Sequence, residues 1–505
     1  MLNSLAELKK IDHEIILLNH TCEILRWDQE TYLPPKAIDE RSEQIALLQG
    51  LIHERIVNPR QAELFADLEV SDSQPSGPPS LSLETRAFLR ECYRRYRRHT
   101  RVPRSLIEEI ARQQSLSQAA WIQARQKSDY QAFAPYLQRL LELIKEYARC
   151  QGFSRHIYDA LLDEYEPWMT TDELNSIFEP LQLELCSLLA KIKAGSDKPG
   201  NKILKRPLSL AKQEAFNKRL LEAMGFDLKA GRLDISAHPF TTTLGAWDVR
   251  LTTRYNETYF PTSLFGTIHE AGHGLYEQGL AEELRGSILG NAASLGMHES
   301  QSRLWENLVG RSLSFWKHFL PILSSLAPET FAEVKLEDFY AAINTVSPSH
   351  IRVEADEVTY NLHIILRFQL EVKLMEGSLK VADLPGAWRE KANELLGLMP
   401  DTDREGVLQD VHWAMGAFGY FPTYTLGNLI SAQLFQTIGK AFPDLGLRVA
   451  SGELGFIREW LCSHIHQYGA IYPAQELILK ATGQKLNPSF FVAYLKQKYG
   501  ELYGL

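Results

Sequence analysis

The sequence has few cysteines, and none of them stand close together. There are five among 505 residues, without any Cys-x-x-Cys spacing. Disulfide frameworks and thiolate metal sites both rely on closely spaced or paired cysteines, so this pattern favours neither. We therefore expect reduced thiols in a cytoplasmic protein. The five are Cys22, Cys92, Cys150, Cys186 and Cys462.

The sequence also lacks an excess of positive charge and a long apolar run. A net charge of -9 and a pI near 6.0 give it no general attraction for nucleic acids or anionic membranes. The basic run Arg94–Arg98 is interpreted as a solvated helix face. No apolar stretch approaches the roughly 18 residues of a membrane-spanning helix. Residues 1–10 show no signal-peptide pattern. From the charge and the lack of a long apolar run, we expect neither a membrane nor a nucleic-acid partner.

Helical periodicity is what the sequence has in abundance. Apolar residues recur every three or four positions, which predicts helices over 3–20, 38–56, 82–98, 105–127, 130–150 and 172–194. Proline, glycine and serine predict loops at 71–80 and near Gly195–Pro207, and Pro34-Pro35 interrupts the early helices. Composition does not change across these loops. We predict one mainly α catalytic domain, residues 1–505, with a large, two-lobed helical body.

Residues 232–255 break the helical pattern, because they are rich in threonine, aromatic and β-branched residues. Thr241–Thr243 and Trp247–Tyr255 predict two short strands around a turn. They end just before the next helix. A strand edge in that position can hold an extended peptide by main-chain hydrogen bonds.

The segment His269-Glu270-Ala271-Gly272-His273 predicts a metal-dependent hydrolase. Histidines at i and i+4 share one helix face and can grip one ion, typically zinc. Zinc would lower the pKa of a water, and Glu270 would take the proton and pass it to the leaving amine. The alternative is a helix with two buried structural histidines. Gly272 and Gly274 favour the site, since glycine within a helix suits a close approach by another backbone or a substrate.

A catalytic zinc needs a third protein ligand and an open position. Glu277 lies one turn beyond His273. Three ligands on consecutive turns of one helix cannot surround a tetrahedral ion well, which argues against Glu277. Glu299 opens the next helical stretch, and a crossing helix can deliver its carboxylate. We predict Glu299 as the third ligand, with His298 as the runner-up or as a partner of a ligand.

Several motifs in order resemble those of the carboxypeptidase Taq metallopeptidase family, nearly from end to end. They are Trp27-Asp28 with Thr31 and Pro34-Pro35, His238-Pro239-Phe240, Asp248-x-Arg250-x-Thr252, the zinc helix His269–His273, His298-Glu299-Ser300-Gln301, Ile351-Arg352-x-x-Ala355-Asp356 and Gly406-x-x-Gln409-Asp410-x-His412-Trp413.

The resemblance implies a cytoplasmic, cleft-shaped, mostly helical zinc peptidase whose fold is similar to those of neurolysin and angiotensin-converting enzyme. It implies a small β-sheet beside the metal helix and a homodimer. It further implies release of single C-terminal residues from peptides with broad specificity and poor action at proline. The zinc site would also accept cobalt.

The remaining motif residues suggest substrate contacts. A terminal carboxylate suits the planar fork of arginine, so Arg352 is the first candidate and Arg250 the second. The alternative for either is a structural ion pair, with Asp356 or Asp248 respectively. His238 is assigned either substrate contact or a structural role in the strand.

An oxyanion needs donors besides the metal, and His412 is the best candidate. By resemblance, Tyr420 or Tyr424 shares this task, within a glycine-rich segment that could be mobile. The alternative is that both tyrosines simply pack. Gln409 and Asp410 are expected to orient His412 or the substrate.

Two other functions remain open at this point. One is a helical oligopeptidase or dipeptidase of the same zinc class, which would not require a free C-terminus. The other is a binding protein that kept the fold without catalysis. The complete ligand set and Glu270 argue against the latter, since a decayed site usually loses one member.

Overall fold

The computed structural model describes residues 2–195 and 200–505. Met1 and residues 196–199 lie outside the described residues, and with them part of the loop predicted near Gly195–Pro207. The chain divides into two compact units, each built from three segments. The first unit comprises Met1–Thr100, Gly200–Ile343 and Gln433–Lys485. The second comprises Arg101–Pro199, Asn344–Ala432 and Leu486–Leu505.

Helices dominate both units, which confirms the mainly α prediction. The predicted helix over 3–20 continues to Thr31, just before Pro34-Pro35. The other five predicted helices begin and end within two residues of their predicted bounds. The α-helices are α1 (Leu2–Thr31), α2 (Ile38–Ile56), α3 (Pro59–Asp67), α4 (Leu83–Thr100), α5 (Arg104–Lys127), α6 (Tyr130–Gln151), α7 (Asp159–Tyr165), α8 (Thr171–Ala194), α9 (Leu210–Met224), α10 (Pro261–Gly279), α11 (Leu295–Arg303), α12 (Leu313–Leu326), α13 (Pro328–Phe331), α14 (Leu336–Ile343), α15 (Tyr360–Glu376), α16 (Leu384–Leu396), α17 (Pro422–Ala441), α18 (Leu445–Ala450), α19 (Gly455–His464), α20 (Ala474–Thr482) and α21 (Ser489–Tyr503).

Local sequence explains where the helices of interest begin. Pro261 occupies the first turn of α10, where its missing N–H costs nothing. The Ser294 hydroxyl accepts a hydrogen bond from the backbone N–H of Met297 and so caps α11. Both helices therefore start at fixed residues, and the side chains they carry are placed accordingly.

The first unit contains a three-stranded sheet, one strand more than the sequence suggested. Strands β2 (Thr241–Gly245) and β3 (Asp248–Thr253) form the predicted hairpin, with Thr242 opposite Arg250. The additional strand, β1 (Gly231–Ile235), runs parallel to β3, and the order is β1-β3-β2. Prediction missed β1 because its partner lies across a crossover connection, which local turn signals do not reveal. Strand β2 is therefore an edge strand.

Helix α10 packs on β2 and β3 on one side and against α9 and α11 on others. Its apolar residues Leu264, Phe265, Ile268, Leu275 and Tyr276 are all buried, which fixes the face that the helix presents to its neighbours. Across residues 2–195 and 200–505, no helix combines the length and apolar character needed to cross a bilayer. All five cysteines are free thiols.

Candidate metal centre

Helix α10 brings two imidazoles to one face, as the i, i+4 spacing predicts. The ring centroids of His269 and His273 lie 5.0 Å apart, with the ring planes at 79°. Neither ring is exposed, since their side chains keep 19% and 14% of their accessible surface. Their Nε2 atoms point toward the same neighbour, a carboxylate on α11.

That carboxylate belongs to Glu299, the predicted third ligand. Its Oε2 lies 3.6 Å from Nε2 of His269 and 3.4 Å from Nε2 of His273. Ligand atoms bound tetrahedrally at zinc-like distances are separated by about 3.3–3.4 Å, so the donor set fits a divalent ion of that size. In the part of the chain that the structure describes, these three residues are the one group of histidine and acidic side chains that converges closely enough to hold a metal.

Two neighbours on α11 fix the Glu299 carboxylate. Arg303 donates from Nε to Oε1 at 2.7 Å, and Ser302 donates from Oγ to Oε2 at 2.9 Å. Although burial raises the pKa of Glu299, the charges of Arg303 and His269 hold it well below its ordinary value. The ligand is therefore ionised and oriented.

Gly272 explains how α10 and α11 come close enough to share an ion. A Cβ at Gly272 would lie 2.6 Å from the backbone O of Gln301 and 2.6 Å from Cα of Ser302. The backbone of α11 thus occupies the space that any side chain would need, as the sequence suggested. At Gly274 the close neighbours are instead the side chains of Phe226 and Leu251.

Glu306 orients the first histidine. Its Oε2 lies 2.9 Å from Nδ1 of His269, on a π-helix over Leu304–Val309 that directly continues α11. Burial raises the pKa of Glu306, but the hydrogen bond from His269 and the charges of Arg303 and Arg311 outweigh it and lower that pKa. An ionised carboxylate at Nδ1 keeps the proton there and leaves the Nε2 lone pair free for a metal.

The second histidine is backed by another imidazole. The ring of His298 stacks on that of His273 with centroids 4.5 Å apart, and its Nε2 lies 2.9 Å from Oε1 of Glu277. Burial and the neighbouring His298 lower the pKa of His273 to about 4, so it is neutral at physiological pH, as a metal ligand must be. His298 and Glu277, both weighed as ligands, instead form a pair behind the ligand set.

Glu270 is buried beside the ligands, with 6% exposure. Its Oε2 accepts a 2.7 Å hydrogen bond from the hydroxyl of Thr241 on the edge strand β2. Burial raises the pKa of Glu270, while His269 and the Thr241 hydroxyl oppose the rise. A carboxylate of raised basicity next to a metal centre suits proton transfer from water.

Comparison with known proteins identifies the family of this chain. The sequence matches the carboxypeptidase Taq (M32) metallopeptidase family over residues 7–499. The chain belongs to this family. It is 46% identical over 490 residues to thermostable carboxypeptidase 1 of Thermus thermophilus, covering 95% of this chain and 94% of that protein. It is 38% identical over 499 residues to carboxypeptidase 1 of Bacillus subtilis, covering 98% and 97%.

Solved structures of carboxypeptidases share the fold of this chain. The crystal structure of the M32 carboxypeptidase from Deinococcus radiodurans R1 superposes with a TM-score of 0.95 at 37% identity, covering 100% of both chains. The Pyrococcus furiosus carboxypeptidase in its Apo-Mg form gives 0.94 at 38% identity, covering 98% of this chain and 99% of that one. Because the family is one of metallopeptidases and these relatives are carboxypeptidases, this chain is a metallocarboxypeptidase, and its family implies a divalent metal ion.

The Asp-x-Arg-x-Thr motif of the M32 chain forms a local ion pair. Arg250 donates from Nε and Nη2 to the carboxylate of Asp248 at 2.9 and 2.8 Å. Its guanidinium also lies 4.1 Å from the ring centroid of Trp27. His238 is exposed in the connection between β1 and β2, and its backbone O accepts from Ser236. Arg250 therefore forms the ion pair with Asp248 that the sequence analysis offered as its structural alternative.

Arg352, in the second unit, lies in a buried charge cluster. It donates from Nη2 to Oδ1 of Asp410 at 2.8 Å and from Nη1 to the hydroxyl of Tyr360 at 3.1 Å. Arg367 holds the other oxygen, Oδ2, of the same carboxylate. Burial raises the pKa of Asp410, but the two guanidinium groups outweigh it and lower that pKa. The expected alternative partner of Arg352, Asp356, was wrong, because Asp356 instead accepts hydrogen bonds at the start of α15.

His412 and the two tyrosines of the M32 motif region lie together. Nε2 of His412 is 3.4 Å from the hydroxyl of Tyr424, and its ring centroid is 5.4 Å from that of Tyr420. Burial, opposed by Asp410 and supported by Arg352 and Arg367, lowers the pKa of His412 to about 4. A neutral imidazole can donate a hydrogen bond without carrying charge.

Sequence reasoning missed Glu306 and the role of Thr241. Glu299, Arg303 and Glu306 are spaced four and three residues apart, which on a helix aligns them on one face. That spacing was a usable signal. No signal in the sequence points to the Thr241 hydroxyl, because its contact with Glu270 joins a strand to a helix across 29 positions.

Proposed function

We propose that this M32 metallocarboxypeptidase is a zinc enzyme that releases single C-terminal amino acids from peptides with broad specificity. The observation that carries the proposal is the convergence of two imidazole Nε2 atoms and one carboxylate oxygen beside the buried Glu270. Two nitrogens and one oxygen in this spacing suit zinc, and cobalt accepts the same geometry. A bound zinc ion would supply Lewis acidity and lower the pKa of water at the site.

Glu270 would act first as the general base and then as the general acid. Its carboxylate takes a proton from the attacking water and delivers it to the nitrogen of the leaving amino acid. The Thr241 hydrogen bond at Oε2 holds the carboxylate in place during both transfers. Because β2 is an edge strand and carries Thr241, its main chain is the proposed partner for the backbone of an extended peptide.

The remaining roles are those assigned from the sequence motifs. Arg352 is the first candidate for the substrate carboxylate and Arg250 the second, with His238 as a further substrate contact. His412 is the proposed donor to the oxyanion. Its 3.4 Å contact favours Tyr424 as the assisting tyrosine, whereas the Tyr420 ring packs against Tyr165 with centroids 5.0 Å apart.

The physiological setting that we propose follows from the same resemblance. Residues 1–505 act as one catalytic domain, and the protein works as a cytoplasmic homodimer on peptides. The five free thiols are compatible with a reducing compartment. Light scattering of the purified protein would test the homodimer directly, since a monomeric mass at micromolar concentration contradicts it.

Glu270→Gln tests the mechanism. The amide has the same shape but cannot accept the proton, so we expect kcat to fall by at least about a thousandfold while one metal ion per chain is retained. Turnover and metal content by elemental mass spectrometry are measured on the same sample. Near-normal turnover in this variant would refute the role of Glu270.

Matched peptides test the specificity. Peptides with a free C-terminus should be cleaved, and their C-terminally amidated versions should be cleaved far more slowly. Arg352→Lys should raise KM for the free peptides only, because lysine cannot form the two-pronged contact. Equal rates on free and amidated peptides would favour the oligopeptidase alternative.

A further inference from the structure

Helix α15, in the second unit, carries a row of polar side chains on a buried face. His363, Arg367 and Glu371 follow one another at four-residue intervals, and they are 1%, 0% and 0% exposed. Residues spaced in this way share one helix face. Burying three polar side chains is costly unless each finds partners, so what they contact indicates why they are there.

The first two members hold Ser349, which lies three residues before Arg352, and the neighbouring pair Gln409-Asp410. Nε2 of His363 lies 3.1 Å from the backbone O of Ser349. Arg367 donates to Oδ2 of Asp410 at 2.7 Å and to Oε1 of Gln409 at 2.7 Å. These contacts fix the residues that immediately precede His412.

Glu371 holds the residues that follow His412. Its Oε1 accepts a 2.8 Å hydrogen bond from Nε1 of Trp413, and its Oε2 accepts one of 3.1 Å from the backbone N–H of Gly419. The hydroxyl of Tyr158 also donates to Oε2, at 2.7 Å. Trp413 is next to His412, and Gly419 is next to Tyr420.

Only a carboxylate satisfies this arrangement. The indole N–H and the amide N–H are obligatory donors on opposite oxygens, so each oxygen must accept. Burial outweighs the hydrogen bonds from Tyr158, Trp413 and Gly419, which favour the ionised form, and raises the pKa of Glu371 to about 7. A glutamine here would direct its NH2 group at one of the two obligatory donors and lose that contact.

Gly419 ends the segment that Glu371 anchors, residues 413–419, and it packs too closely for a side chain. Its φ is +90°, and a Cβ would lie 2.8 Å from the backbone C of Leu161 and 2.9 Å from the backbone N of Leu162. The segment thus packs directly on the backbone of α7 while Glu371 binds its N–H. This packing argues against the mobile segment that the glycines suggested.

We infer that Glu371 is a positioning residue, whose carboxylate anchors Trp413 and Gly419 and thereby orients His412. The inference rests on the proposed role of His412 as a donor to the oxyanion. Donors of this kind act mainly in the transition state, where misplacement of about 1 Å costs on the order of 100-fold in rate. Loss of Glu371 should therefore lower kcat and leave KM nearly unchanged.

A double-mutant cycle tests the inference on the metal-loaded full chain. Glu371→Gln should lower kcat by about 10- to 100-fold at unchanged metal content and KM. In a His412→Ala background it should cause less than about a twofold further loss, because the group it orients is already gone. Trp413→Phe, which removes the indole N–H alone, should reproduce the effect if the glutamine variant folds poorly.

Asp159→Asn is the matched control. Asp159 is also a buried carboxylate of the second unit, 9% exposed, but it accepts hydrogen bonds from the backbone N–H groups of His156 and Thr171 rather than from Trp413 or Gly419. It should lower the melting temperature without changing kcat. Equal losses of kcat in the Asp159 and Glu371 variants, or a Glu371 effect that multiplies in the His412→Ala background, would overturn the inference alone. A fully active His412→Ala would overturn the proposed role of His412, and the inference with it.

Discussion

Gly272→Ala is the sharpest perturbation that the metal centre offers, because it adds a single carbon between the two helices that carry the ligands. The new Cβ would lie 2.6 Å from the backbone O of Gln301, whereas ordinary contact begins at 3.4 Å. The helices α10 and α11 must then separate by about 0.8 Å, since neither backbone can yield alone. Glu299 moves with α11, away from His269 and His273.

The expected magnitudes follow from this displacement. Metal–ligand distances tolerate only about 0.2 Å, so a shift several times larger should weaken metal binding by at least about 10- to 100-fold. Overpacking of this kind costs about 1–3 kcal/mol, and the better helix propensity of alanine returns about 1 kcal/mol. We therefore expect a large loss of metal affinity with only a modest loss of stability.

The assay separates these two quantities. Metal affinity is measured by competition with a chelator of known affinity, and the melting temperature is measured on the metal-free protein. Gly266→Ala is the control on the same helix, because its Cβ would meet Oγ1 of Thr253 at 3.6 Å and Cγ of Pro239 at 3.8 Å, both ordinary contacts. The control should bind metal normally. Normal metal affinity in Gly272→Ala would refute the idea that close backbone approach builds the site.

Two further variants test the carboxylate that supports His269 and a pH-dependent contact within the second unit. Glu306→Gln should reduce metal affinity by about 10- to 100-fold, measured by the same competition, because His269 loses the carboxylate at Nδ1; unchanged affinity would contradict that role. Burial lowers the pKa of His156, but hydrogen bonds to Glu376 and Asp172 outweigh it and raise that pKa. Its stabilisation should be complete below the ordinary pKa and disappear as pH rises through the higher folded value. Melting temperatures of wild type and His156→Gln should thus differ more at about pH 6 than at about pH 9. A pH-independent difference would exclude an ion pair of His156 with Glu376 and Asp172.

The sequence by itself determined the helices and named the three candidate metal ligands. Spacing of apolar residues gave the bounds of α2 and α5 to within a residue or two, and the i, i+4 histidines needed no tertiary knowledge to be placed on one face. Glu299 was reached by excluding Glu277 on the geometry of a single helix. The helix bounds and the shared face of the two histidines depend only on spacing within a few residues along the chain, whereas Glu299 required the further argument that a crossing helix supplies the third ligand.

Tertiary structure alone decided the partners that lie far apart in the chain. The pairing of β1 with β3, the hydrogen bond from Thr241 to Glu270 and the ion pair of Arg352 with Asp410 each join distant segments. The last of these spans 58 positions and replaces the nearer Asp356 that the sequence suggested. Local periodicity carries no information about such contacts, because they depend on how elements pack after they have formed. That is why the candidate metal ligands could be named from the sequence, whereas most of the residues that hold them in place could not.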